Sequence, residues 1–499
     1  MPSPLQSFLL FALSLTARAV TAQAPPVTEQ STGFNSTFTL SSSQIESANL
    51  STTLASSINT VVRFDRSQLA NGGPAEDTFY NLPPLSNTSA LRPGTLLKVQ
   101  DFTNTSSFVI PPNTALSRIL YTTTDYNGTV IPASAFILWP FLPKKFQQSS
   151  SGYVHNKTTK APAVIWAHGT SGFFAPQAPS THRALWYGDS APFTLALAGY
   201  AVVGPDYAGL GISKSWDGSD IPHQYSLSQT TARDSLYALQ ASLAAFPNRL
   251  DDHFVSFGHS QGGGVAWGVA EVIAAEKDNE FKHLAKGYLG SIAGSPTTDL
   301  FNRLVPQFIP SWVGLALSSI FPDFELSAWL TPLGVARTQL FKEISGGVSV
   351  SAQLFLSSDN LIRDDYKSTW YVDAYARIAN AGRKPFAGPL LVLQGTADPY
   401  ILYNITSTTI QETRDVYPGG DLEYVVVNGT SHVPTLDATR QIWLRWIEER
   451  FEGRPLEKTG YARTDYESWL PLERYQSTGN SFPQFAGLTE YSYEAPLGA

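Results

Sequence analysis

Short apolar runs alternating with helical patterns are the feature that most narrows what this chain can become. "APAVIWA", "AVV", "HFVSF" and "KGYLGSIAG" read as buried strands between residues 161 and 296. Between them, "SLSQTTARDSLYALQASLAAF" carries Leu236, Leu239 and Leu243 on one helical side, and residues 264–276 read as a second helix. The alternation stops at 297 and resumes at 386 with "GPLLVLQGTADP", a helix near 405–414, "LEYVVV" and "DATRQIWLRWIEERF". Repeated strand–helix–strand units predict an α/β fold, a mainly parallel sheet covered by helices on both faces. Residues 91–296 and 386–452 are then two parts of one core, and 297–385 is a helical cap inserted between them. Ahead of the parallel units, "LSRILYTTTDYNGTVIPASAFILWP" holds two β-prone runs around an Asn-Gly turn, a hairpin signal. Residues 25–90 form a Ser/Thr-rich leader whose first part, to about 60, is expected to be extended or loosely packed. The polar, aromatic extension 453–499 either wraps the body or frays.

Within this pattern Ser260 stands in Gly258-His259-Ser260-Gln261-Gly262, between the run "HFVSF" and a helix. A strand-to-helix turn does not require a serine. A serine flanked by glycines there is the arrangement that exposes a nucleophilic hydroxyl above the sheet edge, with the N–H of the next residue aimed at the same point. The alternative is a glycine-rich turn that only packs a helix on a strand.

A serine hydroxyl is a poor nucleophile near neutral pH and needs a base, which an acid must orient. After Ser260 the histidines are His283 and His432. His283 lies in the polar stretch "DNEFKHLAKG" and suits a solvated surface. His432, in "VVVNGTSHVPTL", follows one strand and precedes the last helix, which puts it at the carboxyl edge of the sheet. Asp398, in "LLVLQGTADPY", also follows a strand directly and is the candidate orienting acid; Asp359, Asp364 and Asp365 are rivals that fall inside the cap. The second donor to a developing oxyanion is expected from the glycine-bearing loop "AHGTSG", through the Thr170 N–H, beside that of Gln261. His168 precedes the nucleophile and is the weaker choice of base.

Composition removes other classes. The chain has no cysteine, which excludes disulfides, thiolate metal sites and a cysteine nucleophile. The histidines are scattered rather than paired at metal-ligand spacing, so no metal and no cofactor is expected. "GLGIS" lacks the lysine of a phosphate loop and reads as a turn. A formal charge of −8 argues against a nucleic-acid partner. No run after the first two dozen residues approaches the ~20 apolar residues of a membrane-spanning helix. Residues 1–24 have the layout of a secretory signal peptide, and N-x-[ST] sequons at Asn35, Asn49, Asn87, Asn104, Asn127, Asn156, Asn404 and Asn428 fit a secreted glycoprotein.

Taken together, "AHGTSGFFAPQAPS", "VVGPDYAGLG", "GHSQGG", "GTADP" and "GTSHVP" resemble the fungal secretory lipase family of lipase A type, from about Leu91 to Phe451. The resemblance implies an α/β-hydrolase fold with a helical lid, and hydrolysis of carboxylic esters without a cofactor. It implies that Ser260 is the nucleophile, Asp398 the acid and His432 the base, with Thr170 and Gln261 as the oxyanion donors. The lack of cysteine and the long leader are departures from that family.

The reading is a secreted serine esterase or lipase acting on lipid or other apolar acyl esters. The alternatives are a serine peptidase or acyltransferase on the same scaffold, and a non-catalytic binding protein built on it. Phe308, Trp312, Phe321 and Trp329 of the cap are candidates to line an acyl site, or are ordinary cap core.

Overall fold

The computed structural model describes residues 37–85, 91–146, 160–276, 280–301, 308–356 and 359–475. The described part of the leader holds two helices, α1 (Ser42–Ser47) and α2 (Thr52–Ser67). Three strands follow: β1 (Leu96–Gln100), β2 (Ala115–Thr124) and β3 (Val130–Trp139). Then come β4 (Ala161–Ala167), α3 (Pro192–Leu197), β5 (Ala201–Pro205), α4 (Ser228–Ala245), β6 (Leu250–His259), α5 (Gln261–Glu276), α6 (Lys282–Ala285) and β7 (Tyr288–Gly294). The helices α7 (Phe308–Leu317), α8 (Pro332–Glu343), α9 (Val348–Phe355) and α10 (Trp370–Ala379) stand between β7 and β8 (Leu390–Gly395). After β8 the described residues form α11 (Tyr403–Val416), β9 (Leu422–Val427), α12 (Pro434–Ala438), α13 (Arg440–Phe451) and β10 (Tyr461–Tyr466).

The strands form one 10-stranded sheet in the order β1-β2-β3-β5-β4-β6-β7-β8-β9-β10. From β5 to β10 every pairing is parallel; β1, β2 and β3 pair antiparallel at one edge. The fold is thus the α/β type expected from the alternation, an α/β-hydrolase sheet covered by helices. β2 and β3 are the expected hairpin, turning through Gly128 at φ 83°.

Pleating explains why β4, in the middle of the sheet, is uniformly apolar. Ala163, Ile165 and Ala167 of β4 face α4 and α5, whereas Val164 and Trp166 point to the opposite face, with Trp443 and Ile447 of α13. Both faces are covered, so neither can alternate with polar residues. The cap has a core of its own, built on Trp312, Leu317, Trp329, Phe341, Val350 and Tyr375.

Two expectations are corrected. From residue 37, where the described residues begin, the leader is not extended: α1 and α2 are regular helices, each capped by a serine, Ser41 and Ser51. Ala55, Ile58, Val61 and Val62 of α2 recur at helical spacing and enter the core of the cap. That burial outweighs the modest helix propensity of a Ser/Thr-rich segment. Of the extension, residues 476–499 lie outside the described residues. The described part, 453–475, does not merely wrap the body; β10 adds a strand to the sheet beside β9, from Tyr461↔Leu422 to Tyr466↔Val427. Its sequence, "YARTDY", is half-exposed to exposed throughout, so it carried no apolar signal. The backbone ladder, not side-chain burial, holds it.

Candidate active site

Ser260 is the single residue between the end of β6 and the start of α5. Its φ is 60°, a left-handed conformation that costs a non-glycine residue about 1–2 kcal/mol. The flanking glycines permit the turn. A Cβ on Gly258 would lie 2.0 Å from the Gly262 carbonyl oxygen, and one on Gly262 would lie 1.9 Å from that of Ala167. The helix therefore begins directly against the ends of β6 and β4. The Ser260 N–H donates to the Gly294 carbonyl at 2.9 Å, and its own carbonyl accepts from the Gly264 and Thr297 N–H groups at 3.1 and 3.2 Å. The residue is half-buried at the N-terminal end of α5, where unpaired amides and the helix dipole favour negative charge.

Asp398 sits in the loop after β8. Its Oδ1 accepts from the N–H groups of Tyr400 and Ile401 at 2.9 Å each. Its Oδ2 accepts from Nδ1–H of His432, in the loop after β9, at 2.7 Å. Burial pushes the Asp398 carboxyl pKa up, but the His432 charge and hydrogen bond and the two backbone N–H groups outweigh burial and hold it below the ordinary carboxylate value. With Nδ1 occupied as a donor, Nε2 of His432 is left as the acceptor of the neutral ring. The His432 and His259 ring centroids are 4.5 Å apart, and the His432 carbonyl oxygen lies 3.1 Å from His259 Nε2. His432 thus packs on the residue that precedes Ser260.

Thr170 follows β4 and Gln261 opens α5. Because β4 and β6 are parallel neighbours, with Ala167 opposite Gly258, both loops leave the same edge of the sheet. The strand order reverses at β4, the kind of crevice where open α/β sheets bind ligands. The Thr170 hydroxyl is 2.9 Å from that of Tyr225. The Gln261 side chain is buried and donates from Nε2 to Nε2 of His223 at 3.1 Å, while His223 donates from Nδ1 to the Ala208 carbonyl at 3.0 Å. Burial lowers the His223 pKa to about 4, which keeps that ring neutral.

The rival residues lie elsewhere. His168 is fully buried against the Gly169 and Asp206 carbonyls, and burial lowers its pKa to about 3. His283 is exposed. In the cap, Asp359 pairs with Arg337 at 2.7 Å and Asp365 with Arg363 at 2.9 Å, and Asp364 is exposed. Trp312 and Trp329 are buried and bonded through their indole N–H groups to Ser351 and Thr369. Phe308 packs tilted against Trp312, and the half-buried Phe321 packs edge-on to Trp370 and tilted against Tyr371, so these aromatics belong to the cap core and its margin.

Sequence reasoning missed three residues here: Tyr187, His259 and Tyr225. Leu185, Trp186 and Tyr187 have φ of 54°, 36° and 64°, three successive non-glycine residues in the left-handed region. That turn sends the Trp186 indole N–H to the Gly169 carbonyl at 3.3 Å and the Tyr187 hydroxyl to His259 Nδ1 at 3.3 Å. A Cβ on Gly169 would lie 2.9 Å from the Tyr187 hydroxyl. The strain is therefore concentrated where it arranges the Thr170 loop and the turn at Ser260.

Among the described residues one group has the makings of a metal site, Asp251, Asp252 and His253. They are consecutive, and His253 Nδ1 lies 3.0 Å from both carboxylates, at the end of β6 opposite Ser260. No helix among the described residues is long and apolar enough to cross a membrane. The sequon residues Asn49, Asn104, Asn127, Asn404 and Asn428 are exposed; Asn35, Asn87 and Asn156, and the segment 1–24, lie outside the described residues.

The sequence model of the alpha/beta hydrolase family matches residues 164–442, a span running from β4 to α13 that includes Ser260, Asp398 and His432. The chain belongs to the alpha/beta hydrolase family. No curated protein matches this α/β hydrolase by sequence. Solved structures do match it in fold. Candida antarctica lipase A in its closed state superimposes with a TM-score of 0.59 at 15% identity, over 78% of this chain and 88% of that one. A mutant of the rice cell wall degrading esterase LipA from Xanthomonas oryzae gives 0.55 at 17% identity, over 72% and 100%. A putative hydrolase from Legionella pneumophila gives 0.53 at 16%, over 73% and 100%.

Proposed function

We propose that this α/β hydrolase cleaves carboxylic esters, with Ser260 as nucleophile, His432 as base and Asp398 as its orienting acid. The Ser260 oxygen attacks the ester carbonyl carbon while its proton passes to His432 Nε2. The negative oxygen of the tetrahedral intermediate is held by the N–H groups of Thr170 and Gln261. Collapse breaks the bond to the alcohol, which leaves with the proton from His432. Water then gives a proton to His432 and attacks the acyl-serine, and collapse returns the proton to Ser260 and frees the acid.

The observation that carries this reading is the 2.7 Å bond from His432 Nδ1 to Asp398 Oδ2. It fixes the tautomer that leaves Nε2 able to accept a proton, on a ring packed against the neighbour of a strained, helix-capping serine. The fold shared with a lipase and an esterase supports an ester substrate, as does the resemblance of "GHSQGG", "GTADP" and "GTSHVP" to fungal secretory lipases. Secretion is part of the proposal, supported by exposure of the described sequon residues. Hydrolysis of p-nitrophenyl esters of graded acyl length, beside aminoacyl anilides, tests the class. Ester cleavage lost in Ser260→Ala is expected; faster cleavage of the anilides would reassign the enzyme as a peptidase.

A further inference from the structure

Tyr225 is 3% exposed and lies in the segment between β5 and α4. Its hydroxyl is 2.9 Å from the Thr170 hydroxyl. Its ring packs on Phe173, three residues beyond Thr170, with centroids 5.2 Å apart, and edge-on to Trp312 of α7 at 5.5 Å. Its carbonyl accepts from the hydroxyl of Tyr375 on α10. The cap thus grips Tyr225 by its ring and its backbone, and Tyr225 grips the Thr170 loop by hydroxyl and ring. Two residues earlier, His223 accepts the Gln261 side chain. One short segment therefore touches both residues whose N–H groups face the reaction in the ester-hydrolase reading.

We propose that Tyr225 is a positioning residue that turns the Thr170 hydroxyl into a third donor to the oxyanion. The inference rests on the ester-hydrolase reading and adds a role which that reading does not need. A hydroxyl pair can share its hydrogen bond in either direction. When negative charge develops beside Thr170, the favoured direction has Tyr225 donating to Thr170 Oγ1 and Thr170 donating to the substrate oxygen. Each bond in such a chain strengthens the other. Burial pushes the Tyr225 phenol up to about 12, so its proton is present at every working pH. No proton is transferred along the pair; both hydroxyls keep their protons throughout the cycle. The half-buried Thr170 sits at the crevice while Tyr225 stays behind it, so Tyr225 acts only through Thr170.

The test is a double-mutant cycle of Tyr225→Phe and Thr170→Val, read as kcat and KM on an activated ester, with the rate of Ser260 labelling by a fluorophosphonate as a second readout. Tyr225→Phe removes one oxygen and leaves the ring and the backbone bond to Tyr375 in place. Its expected effect is a roughly tenfold loss in kcat with KM within about twofold. Thr170→Val is expected to lose about ten- to hundredfold, and adding Tyr225→Phe to it to lose nothing more. In Thr170→Ser, which restores the hydroxyl, Tyr225→Phe is expected to cost about tenfold again. An unchanged kcat in Tyr225→Phe overturns the proposal, as do losses that multiply in the Thr170→Val background. If the wild-type protein neither labels nor hydrolyses esters, the ester-hydrolase reading falls and the relay with it. If the wild type labels and Tyr225→Phe labels equally fast, the relay alone falls.

Discussion

The ring of His259 holds the backbone of His432: Nε2 of His259 lies 3.1 Å from the His432 carbonyl oxygen. A carbonyl only accepts, so Nε2 carries the proton and Nδ1 accepts from the Tyr187 hydroxyl at 3.3 Å. Burial, with the nearby His432 charge adding to it, holds the His259 pKa well below the ordinary imidazole value, so this tautomer persists. Tyr187→Phe removes one of the two bonds that hold this ring. The expected result is a fall in kcat of about three- to tenfold with little change in KM. Unchanged kinetics in that variant would show that the left-handed turn at Leu185–Tyr187 serves packing alone.

In the proposed mechanism a carboxamide cannot replace Asp398. Its Oδ1 accepts two backbone N–H groups, at 2.9 Å each. In Asp398→Asn the amide oxygen keeps those bonds, and the NH2 group faces His432. His432 then accepts at Nδ1 and carries its proton on Nε2, the wrong tautomer for a base. A drop in kcat of about 10⁴-fold with the fold intact is expected. A loss smaller than about tenfold would remove Asp398 from the mechanism.

Stability against pH follows from two opposed sets of buried groups. Burial raises Asp65, Asp189 and Asp234 to about 7 and Asp206 to about 6. The folded state holds these protons after the unfolded chain has lost them, so their contribution is full below the unfolded value near 3.8 and is lost as pH rises through 6 to 7. Burial lowers His168 to about 3 and His182 and His223 to about 4, so these rings add stability as pH rises from there to 6.5. The sets oppose each other from about pH 4 upward; between about pH 6 and 8 the aspartates near 7 lose the last of their contribution, while the rings have already gained most of theirs. The thermal midpoint is expected to be lower near pH 8 than near pH 6, with a shallower slope in Asp65→Asn. A midpoint that rises over that interval would contradict the assignment.

The leader is a structural part of the cap. Ile58 of α2 is fully buried in the cap's own core, and Arg337 of α8 donates to the Ala48 carbonyl. Ile58→Ala is expected to cost about 2–5 kcal/mol, seen as a lowered thermal midpoint. A variant as stable as the wild type would mean that the leader merely rests on the cap.

What could be read from the sequence divides by the kind of signal. β4, β6 and β8 were legible because strands buried on both faces carry near-continuous apolar runs, "APAVIWA", "FVSF" and "LLVL". Asp398 and His432 could be singled out because each follows such a strand, and the structure brings them into contact. The leader helices were passed over because their Ser and Thr content masked the spacing of Ala55, Ile58 and Val61. β10 gave no signal, since its side chains bury little. Tyr187 and Tyr225 were invisible for another reason. Their roles depend on which loops the sheet brings together, and nothing local marks a tyrosine whose partner lies 72 or 55 residues away.

The central claim is that Ser260 is an activated nucleophile. Treating the folded protein with a fluorophosphonate probe and mapping the adduct by peptide mass spectrometry tests it most directly. The expected result is one adduct per chain, on Ser260, abolished in Ser260→Ala and strongly slowed in His432→Ala. A folded wild-type protein that stays unlabelled, or carries the adduct on another residue, would contradict it.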